Sequence, residues 1–279
     1  MPALRIALFT LVAMIAFAGN SLLCRVALKQ GQIDGASFTA LRLGAGAIVL
    51  CLIVLWRSHP RHLAGSWTSA LALFAYAAAF SFAYLSLTAG TGALLLFGAV
   101  QTLMIGYGLW SGERFSFRQW SGLLLACAGL VGLMLPGLSA PPLTGSLLML
   151  AAGVAWGVYS LRGRGAGDPT CVTAGNFLRA VPFALLLSFA LSHEAHLTSA
   201  GIAYALVSGA IASGLGYALW YSVLPFLKAS NAATVQLSVP VIAALGGVLL
   251  LGETLTLRLI LTSVAILGGI ALVVLRRKR

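Results

Sequence analysis

Acidic residues are nearly missing from this chain of 279: there are five Asp and Glu, and charged residues of both signs make up only 8%. Soluble domains carry about a quarter of their residues charged, so this composition argues against a water-exposed surface. Cysteine is scarce too, with Cys24, Cys51, Cys127 and Cys171 standing outside any CxxC spacing. They offer no CxxC motif, and buried small apolar residues are the expected reading. The acids Asp34, Glu113, Asp168, Glu194 and Glu253 and the histidines His59, His62, His193 and His196 fall at the ends of apolar runs or between them. A proton relay at mid-membrane depth therefore has no residues to run on, nor does an intramembrane enzyme built on paired acids or a nucleophile and base. "HEAH" at His193 to His196 is one residue short of the helical HExxH spacing, and "GRGAGD" at Gly163 to Asp168 follows a helix rather than a strand. Neither reads as a metal site or a phosphate cradle, so no cofactor, metal or enzymatic activity is expected.

What the chain does have is apolar surface: 60% hydrophobic residues and a mean hydropathy of +1.02, more than one aqueous core of this length buries. Crossing a hydrocarbon core of ~30 Å takes about 20 helical residues. Ten stretches qualify, at about 4–28, 35–56, 67–88, 90–110, 116–134, 143–161, 171–191, 199–224, 228–251 and 255–275. The expected fold class is an all-α integral membrane protein of ten transmembrane helices. Arg5 and the "AFA" at Ala16 to Ala18 imitate a cleavable leader, but the apolar run continues through "SLLCRVAL" and is read as the first span.

The net charge of +12 follows the spans rather than a nucleic-acid surface. With the N-terminus cytoplasmic, twelve of the seventeen Lys and Arg residues, from Arg5, Arg57 and Arg61 to the tail Arg276, Arg277, Lys278 and Arg279, lie on the cytoplasmic side. Arg25, Lys29 and Arg258 lie opposite, and Arg42 and Arg179 fall within spans. The positive-inside rule places both termini in the cytoplasm.

The chain also repeats itself. "GERFSFR" at Gly112 is answered by "GETLTLR" at Gly252, 140 positions on, and each opens a last, glycine-spotted helix. "ALRLGAG" around Arg42 matches "FLRAVPF" around Arg179, and "AGTGAL" from Ala89 matches "ASNAAT" from Ala229. Two five-helix units result, 1–138 and 139–279, and because five is odd the second is inverted. Inverted repeats of this kind recur in secondary transporters, where two half-units exchange arrangements around one central site.

Ten spans in a 5+5 inverted arrangement, the "GE" turn ahead of each last helix, and Arg42 and Arg179 in the second helix of each half resemble the drug/metabolite transporter superfamily, in its EamA-type members. The length, the glycine-rich spans and the aromatic third and eighth helices are similar to the YddG-type amino-acid exporters. The resemblance implies an exporter of aromatic and other neutral amino acids in the bacterial inner membrane, working by alternating access. Its expected partners are a small-molecule substrate and the lipid bilayer, with no nucleic acid, and a monomer suffices. Export of drugs or other small metabolites is the alternative, and a channel or lipid-handling membrane protein is the reading outside that class.

Candidate path residues are polar or aromatic groups deep in the spans. Asn20, Gln101 and Gln236 are carboxamides suited to a polar cavity or to bonds between helices, as is Asn176. Tyr76, Phe80 and Tyr84 share one helix face by their spacing of four, Trp156 and Tyr159 by three, and Tyr217 and Tyr221 by four. Such rings stack on an aromatic substrate or fill helix interfaces, and Trp56, Trp67, Trp110 and Trp120 read as interfacial. Arg42 and Arg179 suit a substrate carboxylate, or act as gating or structural groups at the two faces. Gly153 and Gly157 have the spacing of close helix contact, and Pro182, Pro225 and Pro240 are expected to kink or break their spans.

Overall fold

In the computed structural model, residues 2–56, 63–112, 114–137, 139–163, 167–227 and 229–274 are described. Glu113, His59, His62, Arg57, Arg61, Arg164, Lys228 and the tail from 275 onward, which carry part of the charge asymmetry and one of the two GE turns, lie outside the described residues. The helices are α1 (Ala3–Lys29), α2 (Gly35–Leu55), α3 (Trp67–Ala83), α4 (Ala89–Trp110), α5 (Phe117–Met134), α6 (Leu143–Arg162) and α7 (Pro169–Ala190). Then follow α8 (Ser199–Val207), a π-helical segment (Ser208–Leu215), α9 (Gly216–Val223), α10 (Ala229–Gln236), α11 (Ser238–Leu251) and α12 (Leu257–Val274). Among the described residues nine helical segments are long and apolar enough to cross a membrane, with Ser199–Phe226 and Thr234–Leu251 each counted as one, while α3 is apolar but shorter at 17 residues. The only strand-like pairing among them is a single bridge between Ile33 and Leu197.

Short polar residues start the helices. The Asp34 carboxylate accepts from the N–H groups of Ala36 and Ser37 at α2, Ser66 from Ser69 at α3, Thr88 from Thr91 at α4, Asp168 from Thr170 and Cys171 at α7, and Thr198 from Gly201 at α8. Each satisfies an N–H that has no intrahelical partner, worth about 1 kcal/mol per cap. Ser116 and Gln119 form a capping box at α5.

Packing pairs helices far apart in sequence: α5 on α12, α3 on α6, α2 on α7, and α4 on both α6 and α11. At the α5–α12 crossing the backbones touch, since a Cβ on Gly122 would lie 2.6 Å from the Gly269 carbonyl oxygen. Gly153 and Gly157 turn toward α4, against Leu96, Ala99 and Leu103, which is the close approach their spacing suggested. Trp56 and Trp110 are exposed at helix ends.

Three departures from the expected spans have physical causes. The third span stops at Ala83 rather than near 88, because the carbonyls of Tyr84 and Leu85 turn to the Arg25 guanidinium. The ninth is broken at Leu237, where Pro240 lacks the N–H that would bond the Gln236 carbonyl and Leu237 N–H bonds Thr234 instead. The eighth widens into π geometry over "SGAIASGL" and then closes in a 3₁₀ turn, Leu224–Phe226, that contains Pro225. Pro182, by contrast, sits inside α7 without ending it.

Candidate functional site

A cavity of about 550 Å³ lies among α1, α3, α4, α6, the start of α7, α9 and α10. Its aromatic wall centres on Trp156, whose ring lies 4.8 Å from Tyr76, 5.3 Å from Tyr159 and 5.3 Å from Tyr217, the last in a stacked arrangement. Phe80 continues the wall from Tyr76, and Phe17 joins Tyr217 to Trp220. Three carboxamides enter from different helices: Asn20 on α1, Gln101 on α4 and Gln236 at the break between α10 and α11. Asn20 is fixed by the Ser208 hydroxyl, which donates to its Oδ1 at 2.6 Å. No carboxylate, imidazole, ammonium or guanidinium stands among the lining residues described. Flat π faces beside neutral donors and acceptors suit a small ligand with a polar head, and the volume falls within the ~300–1,000 Å³ usual for such sites.

Eight of the nine sequence-selected binding residues line this one cavity: Asn20, Phe80, Gln101, Trp156, Tyr159, Tyr217, Tyr221 and Gln236. Tyr84 does not. It is fully buried behind the wall, its hydroxyl donating to the Ala89 carbonyl and its ring against Phe80, so it closes the α3–α4 turn. Sequence reasoning passed over Phe17, Phe97, Met104, Trp220 and the first turns of α7, where Val172 and Thr173 also line the cavity. Trp220 was readable, since it stands three residues after Tyr217 on the same helical face.

The two matched arginines have different surroundings. Arg179 donates from one nitrogen to the carbonyls of Ala64 and Gly175, both at 2.9 Å, and so pins the segment before α3 to α7. Asn176 helps, accepting from Ser66 N–H. Arg42 is buried at 1% exposure behind Tyr76 and Phe80, bonded to the Tyr76 hydroxyl at 2.9 Å and Ser213 at 3.3 Å.

A buried ion pair closes the end of the bundle away from the α6–α7 turn. Arg25 Nε meets Glu253 Oε1 at 3.1 Å, the only salt bridge among the described residues. Arg25 also donates to the carbonyls of Tyr84 and Leu85, while Glu253 Oε2 accepts from Ala89 N–H at 2.9 Å. Cation thus meets the C-terminal end of α3 and anion the N-terminal end of α4, each matched to the local helix dipole. Glu253 is aimed there by Gly252, which ends α11 at φ 63°, a left-handed conformation that favours glycine. The acid of the second GE turn, expected at a helix end, is in place there but buried and paired, which spacing alone did not foretell.

Comparisons with known proteins agree with this architecture. The model of the EamA-like transporter family matches the chain twice, over residues 4–135 and 143–275. An uncharacterized protein of Pseudomonas aeruginosa is 59% identical over 278 residues, covering 99% of this chain and 97% of that protein. The threonine/homoserine exporter RhtA of Escherichia coli K12 is 30% identical over 267 residues, covering 88% of this chain and 83% of the exporter. A solved crystal structure shares the fold with a TM-score of 0.69 over 96% of each chain, at 19% identity.

Proposed function

The chain belongs to the EamA-like transporter family, within the drug/metabolite transporter superfamily, and from that premise we propose that it exports neutral amino acids through the central cavity by alternating access. The observation that carries this reading is the cavity itself, where three carboxamides face a wall of aromatic rings and, among the described lining residues, no carboxylate, imidazole, ammonium or guanidinium stands. Carboxamides meet the ammonium and carboxylate of an amino acid in either role, and the rings accept an apolar or aromatic side chain. The relatives named as threonine/homoserine exporters make small hydroxylated amino acids the first to try, with aromatic ones beside them.

In this reading ten helices cross the membrane as two inverted halves, 1–138 and 139–279, in a chain functional as a monomer with both termini in the cytoplasm of the bacterial inner membrane. The cavity then opens toward the cytoplasm, because Gly163, Gly167 and Pro169 of the α6–α7 turn line it. The Arg25–Glu253 pair seals the outer end. Movement is facilitative, since no titratable carboxylate or imidazole lines the path described.

The test is purified protein in liposomes loaded with unlabelled threonine, homoserine or phenylalanine and offered the labelled compound outside. A carrier saturates and exchanges, whereas a channel conducts without counterflow. A second reading, export of drugs or other small metabolites, is favoured by the predominance of rings in the wall, and it takes over if no amino acid exchanges.

A further inference from the structure

Two arginines are buried in the bundle, Arg25 and Arg42, and only Arg25 has an anion against it among the described residues. Arg42 has two neutral hydroxyls, those of Tyr76 and Ser213, and two ring faces, with its guanidinium carbon 5.2 Å from the Tyr76 centroid and 4.8 Å from that of Phe80. Its Nη1 is buried with no hydrogen-bond partner. A desolvated cation so poorly answered is costly, and an unmet donor adds to the cost. The matching Arg179 differs, since its Nη1 donates to two backbone carbonyls, those of Ala64 and Gly175.

Arg42's surroundings belong to the cavity. Tyr76 and Phe80 line it, as does Ala212 beside Ser213. The π geometry makes the Ser213 contact possible, because residues five apart share a face there: Ser208 reaches Asn20 while Ser213 reaches Arg42. The guanidinium thus stands one ring's thickness behind the wall, with a free donor.

We propose that Arg42 and the Tyr76 hydroxyl form the carboxylate subsite of the cavity, reached when the Tyr76 or Phe80 ring turns aside. The proposal rests on reading the protein as an amino-acid carrier and names the group by which the substrate is recognised. A bound carboxylate supplies the missing counter-ion and takes the free Nη1. The substrate's amine and side chain remain with the carboxamides and the aromatic wall.

The test compares threonine with threoninamide, which keeps the amine and side chain but lacks the carboxylate, by calorimetric titration of the full chain in detergent. The wild type is expected to prefer threonine by about tenfold or more, the scale of one hydrogen bond to a charged group. Arg42→Gln removes that preference, and Arg42→Lys, which keeps the charge but not the planar fork, retains only part of it. Thermal unfolding of both variants checks that they fold. Two results overturn the subsite while leaving the carrier intact: a wild type that binds both compounds equally, or an Arg42→Gln protein with undiminished preference. A wild type that binds neither compound and shows no amino-acid counterflow removes the carrier reading and the subsite together.

Discussion

Glu253→Gln is the perturbation with the largest expected effect for the smallest change in shape. Arg25 and Glu253 have side chains only 8% and 6% exposed, so neither is rescued by water. Neutralising Glu253 leaves the Arg25 guanidinium buried with only the carbonyls of Tyr84 and Leu85, and removing one member of such a pair costs about 3–5 kcal/mol. The glutamine oxygen can still accept one hydrogen bond, which places the expected loss near ~3 kcal/mol, a fall of roughly 6–12 °C in melting temperature if the size scaling of soluble proteins carries over. Arg25→Gln should cost a similar amount. The double variant should lose far less than the sum, because no charge remains buried, and the coupling should be about 2 kcal/mol or more. Thermal unfolding of the four proteins in one detergent reads the cycle directly. A shift under about 2 °C for Glu253→Gln, or strict additivity of the two singles, would refute the view that this pair holds the α3–α4 turn.

Other expectations follow from the same contacts. Gly269→Ala should destabilise by about 1–3 kcal/mol, since its Cβ would lie 2.7 Å from Ala126 N across the α5–α12 crossing, whereas Gly268→Ala, with nothing within 4 Å, should be neutral or stabilising in the same melt. At Asp34 burial raises the carboxyl pKa, but hydrogen bonds from Ser37 and His196 outweigh it and hold the group below its ordinary value of 3.8. Its stabilising contribution is therefore complete above pH 3.8 and lost as pH falls through the lower folded value. Asp34→Asn should remove that part of the acid sensitivity in melts taken below pH 4, and an unchanged acid profile would sink the assignment. In liposomes with the membrane potential clamped, a pH gradient should not drive threonine accumulation, because no carboxylate or imidazole lines the described cavity, and sustained accumulation would refute facilitative movement.

Much of this was legible in the sequence, and what was not has a common cause. Span positions follow from hydropathy, and the polar starts of α2, α4, α5 and α7 are local signals that one chain segment carries by itself. Most of the cavity wall was legible too, since an apolar chain offers few carboxamides and few deep aromatics, and helical spacing sorts them by face. Contacts between distant segments were not. Tyr84 continues the face of Tyr76 and Phe80 by spacing, yet α3 ends there because Arg25 and Glu253, 228 positions apart, take the groups of the turn. Arg42 and Arg179 stand in matching stretches of sequence, and only their neighbours, Ser213 and Tyr76 for one and Ala64 for the other, tell them apart. The π segment left only a run of small residues as its trace, and a serine–glycine stretch is equally compatible with ordinary close packing.

The central claim, that the aromatic and carboxamide cavity is where an amino acid binds and crosses, is tested most directly by threonine counterflow in liposomes for the wild type beside Trp156→Ala. Trp156 touches Tyr76, Tyr159 and Tyr217, so its removal dismantles the wall. The expected result is saturable exchange by the wild type, reduced about tenfold or more in a variant that still inserts and folds, the scale for losing stacking and burial of one large ring. Wild-type exchange left undiminished by Trp156→Ala would contradict the account.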